Sequence, residues 1–449
     1  MTLRVALLMV GLLLIRSQSL AQTTSAQSPR PITLRAAVEL ALQRNHVARL
    51  ARLDVEEHEH VRAAAKSAFF PSVRNDTIAT HVSDTQLIEL PAGSLGAVGS
   101  ALVPPESLIL NQGGRTFTSS GVGIVQPLLQ LFKINAANDI ARAAVQEARG
   151  KARNTENDVV LRVQRLYYRI LIAEAQRSAI EARVQASEAQ HTERVQQVKY
   201  GSALDLDLID SRAQSLQAKQ ELLTNELQLA DLHMDFNDAI GLPLGTSVLL
   251  DPSVGDPSES CAREACIALA LESHPELAEA GAAVEKAEAA VRAARYDYVP
   301  DMEAFARYSV QSNMPFLAGH FGTVGVHFTY ELFDGGRKGA TLAARRAALA
   351  QAKEELTRVR DEVELRVATA YNRLERTHEM MAVSRELDAL RTESYRVVSQ
   401  QLTRGAALQS QAAASLAQEL EARALLLQSR LDYAQAVDEL DDAIGRGPR

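Results

Sequence analysis

Three acidic residues crowd the start of one helical segment: Asp205, Asp207 and Asp210, just after Tyr200, Gly201 and Leu204. Asp207 and Asp210 are three apart and so share a helix face. Carboxylates gathered this way can favour cations over anions, or they can stabilise a helix start through its dipole. The residues alone leave both readings open. Asp205-x-Asp207 lacks the central Gly and final Glu of a calcium loop. Gly335, Gly336 and Gly339 surround Arg337-Lys338, but the Gly-Lys-Ser/Thr ending of a phosphate loop is missing, which favours a strand-to-helix bend. His58 and His60 are two apart, which on a helix points them about 200° from each other, so they cannot share a metal. Cys261 and Cys266 could pair in an exported chain, or be two small residues at a helix start. No nucleophile–base arrangement is identifiable, so no catalytic, cofactor-binding or metal-binding residue is assigned.

The elements that must position these residues begin with a leader. Arg4, the apolar run Val5–Ile15 and Ser19-Leu20-Ala21 read as a secretory signal over residues 1–21, too short to span a bilayer. Its removal takes away Arg4 and Arg16, two of 48 basic residues, and moves the formal charge from -8 to about -10. That acidity argues against nucleic acid as a partner. No later segment is apolar for about 18 residues, so no transmembrane helix is expected. Trp is absent and Ala stands where Leu or Phe would fill a thick core, which suggests thin layers of closely packed helix.

The chain says nearly the same thing twice. Asp238-Ala239-Ile240-Gly241 returns as Asp442-Ala443-Ile444-Gly445, an offset of 204 that also relates Val159, Leu161, Val163 and Tyr167 to Val363, Leu365, Val367 and Tyr371. Tyr200-Gly201 returns as Arg404-Gly405 at the same offset. Earlier matches, Ala41-Leu42 with Ala270-Leu271 and Pro71 with Pro300, run at 229. The first copy therefore holds about 25 extra residues between Pro71 and Gln126. After an extension over 22–35, the reading is a first repeat over 36–245, a linker over 246–262 and a second repeat over 263–449.

Each copy reads as helix, β region, very long helix, turn and return helix. Ala36–Phe69 has helical spacing without Pro or Gly. Ala340–Arg404 is a candidate helix of about 65 residues, roughly 100 Å long. Leu342, Leu349, Leu356, Val363 and Ala370 recur every seven, as do Val145, Ala152, Val159, Leu166 and Ala173, so the helices should pack side by side like coiled coils. Gly201 and Gly405 end the long helices. In the second copy Met302, Ala304, Ala306, Tyr308 and Val310 alternate with polar residues, and so do Val324, Val326, Phe328 and Tyr330, predicting a hairpin over about 301–333. In the first copy a hairpin is expected over about 72–128, but its first strand is unclear because Asn75, Thr77 and His81 fall at apolar positions. Nine of the ten Phe lie in 69–132 or 296–333, as aromatic girdles of a membrane barrel would require, or as the plain preference of aromatic residues for strands would give.

Two hairpins give four strands, and four strands cannot close a sheet in lipid, where open edges go unsatisfied. Such a chain must oligomerise. With Ala41-Leu42…Asn45, Ala270-Leu271…His274-Pro275, Pro71, Pro300, Leu332-Phe333-Asp334-Gly335-Gly336, Tyr200-Gly201…Leu204 and Gly405…Leu408 in order and in duplicate, the mature chain resembles the TolC outer-membrane efflux family. The resemblance implies a mainly α fold with a membrane β-barrel: a homotrimer, twelve strands in the outer membrane, and a long α-helical tunnel through the periplasm. It implies a passive exit duct in an efflux or type I secretion system, working with a periplasmic adaptor and an inner-membrane pump. It places Tyr200, Gly201, Leu204, Asp205, Asp207, Asp210, Arg404, Gly405, Leu408 and Gln411 at the periplasmic tip, where adaptors dock and the channel closes. Relatives carry their acidic constriction in the second copy, where this chain has Gln411 and Ala414. The competing reading is a periplasmic coiled-coil scaffold or adaptor without a pore; a secreted hydrolase is disfavoured for want of a catalytic constellation.

Overall fold

The computed structural model describes residues 31–83, 87–111, 116–253, 261–312 and 318–447. The expected leader, most of the extension, Gly113-Gly114 and part of the linker lie outside the described residues.

The first copy begins with two helices where one was expected: α1 (Leu34–Arg44) and α2 (His46–Ser67). Asn45 separates them in extended conformation, and its side-chain oxygen accepts from the amides of Val47 at 2.8 Å and Ala48 at 3.4 Å. A side chain that caps the next helix offers the backbone an alternative to continuing the last one. The amide nitrogen of Asn45 also donates to the Ala239 carbonyl at 2.9 Å. The chain then passes through β1 (Ser72–His81), β2 (Leu87–Leu90), β3 (Ala97–Val98), β4 (Ala101–Leu102), β5 (Leu108–Asn111) and β6 (Thr116–Pro127). The 69-residue α3 (Leu131–Lys199) and the 35-residue α4 (Asp205–Ala239) complete the copy.

The second copy repeats this plan with α5 (Arg263–Ser273), α6 (Pro275–Tyr296), β7 (Asp301–Ser312), β8 (His320–Thr329), α7 (Arg337–Thr403) and α8 (Gln409–Ala443). His274 takes the place of Asn45, with its ring accepting from the Glu276 amide at 3.2 Å and Pro275 in the first helical turn. The glycine of each Asp-Ala-Ile-Gly anchor closes over this joint. Gly241 and Gly445 have φ of +70° and +79°, and an added Cβ would sit 2.6 Å from the Arg44 Cβ or 2.8 Å from the His274 Cα. Only glycine tolerates both the left-handed conformation and that approach.

Both copies also pin the chain entering their first helix, by different means. In the first, Ile32 bridges to Leu250 in parallel, and the Tyr167 hydroxyl lies 2.7 Å from the Asp251 carbonyl and 3.0 Å from that of Ile32. In the second, the residues 229 further on are Cys261 and Cys266, matching Ile32 and Ala37, and they form a disulfide.

The helices form one layer. Toward the ends of the long helices the packing order is α4, α3, α8, α7; toward the strands it is α2, α3, α6, α7. The first heptad stripe faces inward in this layer, with Val145, Ala152, Val159, Leu166 and Ala173 all buried; of the second, Val363 and Ala370 are buried and Leu342, Leu349 and Leu356 half-buried. Two cores result, around Tyr167, Phe236 and Ile240 in the first copy and around Val363, Leu440 and Ile444 in the second. The outer helices stay half-dressed. α4 leaves Ile209, Leu216 and Leu223 exposed at seven-residue spacing, and α7 leaves Val383, Leu390 and Val397. Among the described residues no helix is long and apolar enough to cross a membrane.

Candidate functional site

The two long helices end alike. Gly201 and Gly405 have φ of +69° and +71°, with no neighbour within 4 Å of an added Cβ. The amide after each glycine returns to the helix, Ser202 to the Gln197 carbonyl and Ala406 to that of Gln401, both at 2.8 Å, which is how a left-handed residue terminates a helix. Tyr200 and Arg404 are the last residues before the glycines, and Tyr200 is 78% exposed. Leu204 and Leu408 stand at the caps of α4 and α8, both exposed. A leucine offers no side-chain acceptor, so the cap is held from inside: the Asp207 carboxylate accepts from the Leu204 amide at 3.0 Å, and the Gln411 carbonyl accepts from the Leu408 amide at 3.1 Å. Asp207 and Gln411 thus do the same backbone work. Asp205 and Asp210 are exposed beside Asp207 and carry the first tip's charge outward. The two tips meet where the Ser410 hydroxyl donates to the Glu193 carboxylate, and Ala182, Ala186 and Ala417 pack α3 against α8 just above.

At the opposite end the strands β1, β6, β7 and β8 form one antiparallel sheet in that order. Register places Ile124 beside Ala306, itself beside Val324, and Val122 beside Tyr308; with Met302, Ala304, Val310, Val326 and Phe328 these make one apolar face. The other face carries Arg74, Asp76, Glu303, Arg307, Ser309 and His327. Arg307 reaches across β6 to Asp76 at 3.2 Å, lying over Gly121, where an added Cβ would meet its Nε at 2.8 Å. Glycine in that strand makes room for a guanidinium to cross. His327 stands 3.3 Å from Glu303.

Arg74 and Asp76 were missed in the sequence because β1 itself was unclear. Asn75, Thr77 and His81 do lie on the apolar side of β1, and their polarity is met across the strand pair. Thr77 and Ser120 hydroxyls are 2.8 Å apart, as are the His81 ring and Thr116 hydroxyl. The signal that could have found β1 is the alternate set Ser72, Arg74, Asp76, which is polar at period two. From β8 the chain turns into α7 through Asp334, whose carboxylate accepts from the Lys338 amide at 2.8 Å and the Gly336 amide at 2.9 Å. The glycine-rich segment is this bend.

Between the two ends, the copies meet at a seam of half-buried carboxylates on α8. Asp438 accepts from the Tyr168 hydroxyl of α3 at 3.0 Å, and burial, with Asp441 and Glu439 nearby, pushes it up to about 7. Burial and the neighbouring Asp158 push Asp442 up to about 6. Glu439 bridges Arg165 of α3 at 3.0 Å and Arg373 of α7 at 2.9 Å. Arg366 of α7 holds Glu276 of α6 with two bonds, at 2.8 and 3.0 Å.

Solved membrane-protein structures share this architecture. The fold is similar to that of the Campylobacter jejuni CmeC outer membrane channel, with a TM-score of 0.74 at 12% identity over 93% of this chain and 86% of that one. A membrane protein from Pseudomonas aeruginosa gives a TM-score of 0.71 at 17% identity over 92% of each chain. The outer membrane protein VceC from Vibrio cholerae gives 0.69 at 14% identity, over 92% of this chain and 96% of that one. No match was found among curated proteins. The family model for outer membrane efflux proteins matches residues 37–241 and 266–446, one stretch in each copy. The chain therefore belongs to the outer membrane efflux protein family, a family of outer-membrane channels with a helical periplasmic extension.

Proposed function

We propose that three copies close into a twelve-stranded barrel continued by an α-helical tunnel, a passive exit duct for substrates delivered by an inner-membrane pump through a periplasmic adaptor. The single observation that carries this reading is the four-stranded sheet with β1 and β8 as open edges and one apolar face. Unpaired edges and an apolar face are both costly in water, and a closed barrel in lipid removes both costs at once. Pairing β1 of one copy with β8 of the next also brings the exposed stripe of α4 alongside that of α7, so one rotation covers every half-dressed element. A scaffold without a pore leaves the apolar face of the sheet without use.

The exposed residues Tyr200, Gly201, Leu204, Asp205, Asp210, Arg404, Gly405 and Leu408 form the docking and closing surface of the tip in this reading, with Asp207 and Gln411 holding their helix starts. In a trimer Asp205 and Asp210 become rings of three carboxylates, which favour cations. The test is conductance of the purified protein in a planar bilayer, alongside membrane fractionation. Discrete channels from a protein found in the outer-membrane fraction are expected. A water-soluble monomer without channel activity would sink the proposal.

A further inference from the structure

The residues by which the first copy exceeds the second are a β arm. Pairing runs outward from His81 with Thr116, through Leu87 with Asn111, to Ala97 with Leu102, so β2–β5 and β3–β4 continue the β1–β6 hairpin. The β7–β8 hairpin stops at Val310 with His320. The arm points away from the helices, and in an outer-membrane protein with a periplasmic helical extension that is the cell exterior.

Its surface is unlike the rest of the molecule. Leu95, Val98, Leu102 and Leu108 are 70, 77, 53 and 47% exposed. Over residues 87–111 the only charged residues are Glu89 and Glu106, and there is no aromatic or basic residue at all. Segments that settle into a lipid interface rely on aromatic and basic side chains. The sheet proper has such rings, Tyr308 and Phe328 among them, and the arm has none. An apolar, nearly uncharged surface that repeats in every copy is suited to meeting itself, since symmetry brings identical patches together without like-charge repulsion. The arm rises from β1, the edge strand, and thus stands at the border with the next copy. Reach is sufficient: twelve strands at about 4.8 Å spacing and a tilt of about 40° give a barrel radius of roughly 12 Å. The four residues of β2 alone span about 13 Å.

We propose that the arm, residues 87–111, is a self-association element. Three arms lean over the outer mouth of the barrel and meet through Leu95, Val98, Leu102 and Leu108, forming an apolar cap that narrows the exit on the cell-exterior side. The occupant of this surface is the same surface of the other two copies. The inference rests on the trimeric reading above, and its test separates the two.

Val98→Cys is introduced into the full chain with the Cys261–Cys266 pair intact, and the detergent-solubilised protein is sized by light scattering and oxidised. A three-chain mass with a cross-linked dimer band is expected, because three equivalent thiols on an axis leave one unpaired. In parallel, residues 91–105 are replaced by a short Gly-Ser turn, and single-channel conductance is expected to rise at least twofold. A three-chain mass with no cross-link and unchanged conductance overturns the cap and leaves the trimer standing. A single-chain mass overturns the trimer and the cap with it. A fluorophore on Val98→Cys that is quenched by brominated lipid tails places the arm in the membrane and also overturns the cap.

Discussion

Replacing Asp438 by Asn tests whether the seam between the copies holds a half-buried acid that resists ionisation. Asp438 sits on α8 beneath Tyr168 of α3, close to Glu439 and Asp441, and burial raises it to about 7. The folded state therefore holds this proton more tightly than the unfolded chain, in which an aspartate titrates near 4. The sign follows from linkage: between about pH 4 and 7 the folded protein binds more protons, so stability is fullest below that window and falls as pH rises through it. Each tenfold change in proton affinity corresponds to about 1.4 kcal/mol, which bounds the effect at about 4 kcal/mol per chain, and relaxation in an effective dielectric of about 20 reduces it to roughly 2. Spread over the unfolding entropy of a chain of 449 residues, that is about 2–4 °C in apparent melting temperature. Asn keeps a carbonyl to accept from Tyr168 and has no charge to gain. In thermal melts of the solubilised protein, wild type and Asp438→Asn should agree within about 1 °C at about pH 4 and diverge at about pH 8, with the variant about 2–4 °C more stable. An identical pH dependence in both proteins, or a variant less stable at pH 8, would refute the reasoning. Asp442, raised to about 6, acts in the same direction, so the double Asn variant should flatten the profile further.

Three other outcomes are expected. Arg307→Ala should make the pore more cation-selective by leaving Asp76 without its guanidinium, and Gly121→Val, which pushes that guanidinium aside but keeps its charge, should shift selectivity less; reversal potentials in a KCl gradient measure this, and an unchanged ratio in Arg307→Ala counts against the polar face as lumen. Asp207→Ala should cost about 1 kcal/mol at the start of α4, whereas Asp207→Gln should be nearly silent because Gln411 makes the same bond in the second copy; protease nicking at the tip reads the difference. Leu408→Asp should lower export by at least tenfold while leaving trimer yield and outer-membrane level unchanged, since the side chain is exposed and caps α8 only through its backbone; normal export would remove Leu408 from the docking surface.

Much of the architecture was legible in the chain. The 204-residue offset, the two seven-residue stripes and the glycines at Gly201 and Gly405 each report a local rule: helical period, side-by-side packing, and left-handed termination. The strands β7 and β8 were legible because their alternation is clean. β1 was not, because its Asn75, Thr77 and His81 violate the alternation and are satisfied only by partners 35 to 45 residues away. The break at Asn45 was hidden for a related reason. Asn is tolerated within helices, and its role as a cap depends on the Ala239 carbonyl it meets from 194 residues along the chain.

The sequence by itself determined the duplication and the long helices, because period and offset are properties of one dimension. Only the tertiary structure decided what each feature faces. It showed that Asp207 is occupied in holding a helix start, that Arg307 crosses Gly121 to Asp76, that Asp438 is half-buried against Tyr168, and that the extra residues of the first copy continue a hairpin outward. The physical reason is common to all four. Charge, exposure and pairing depend on which groups approach within a few ångströms, and residues far apart in the chain supply most of those groups.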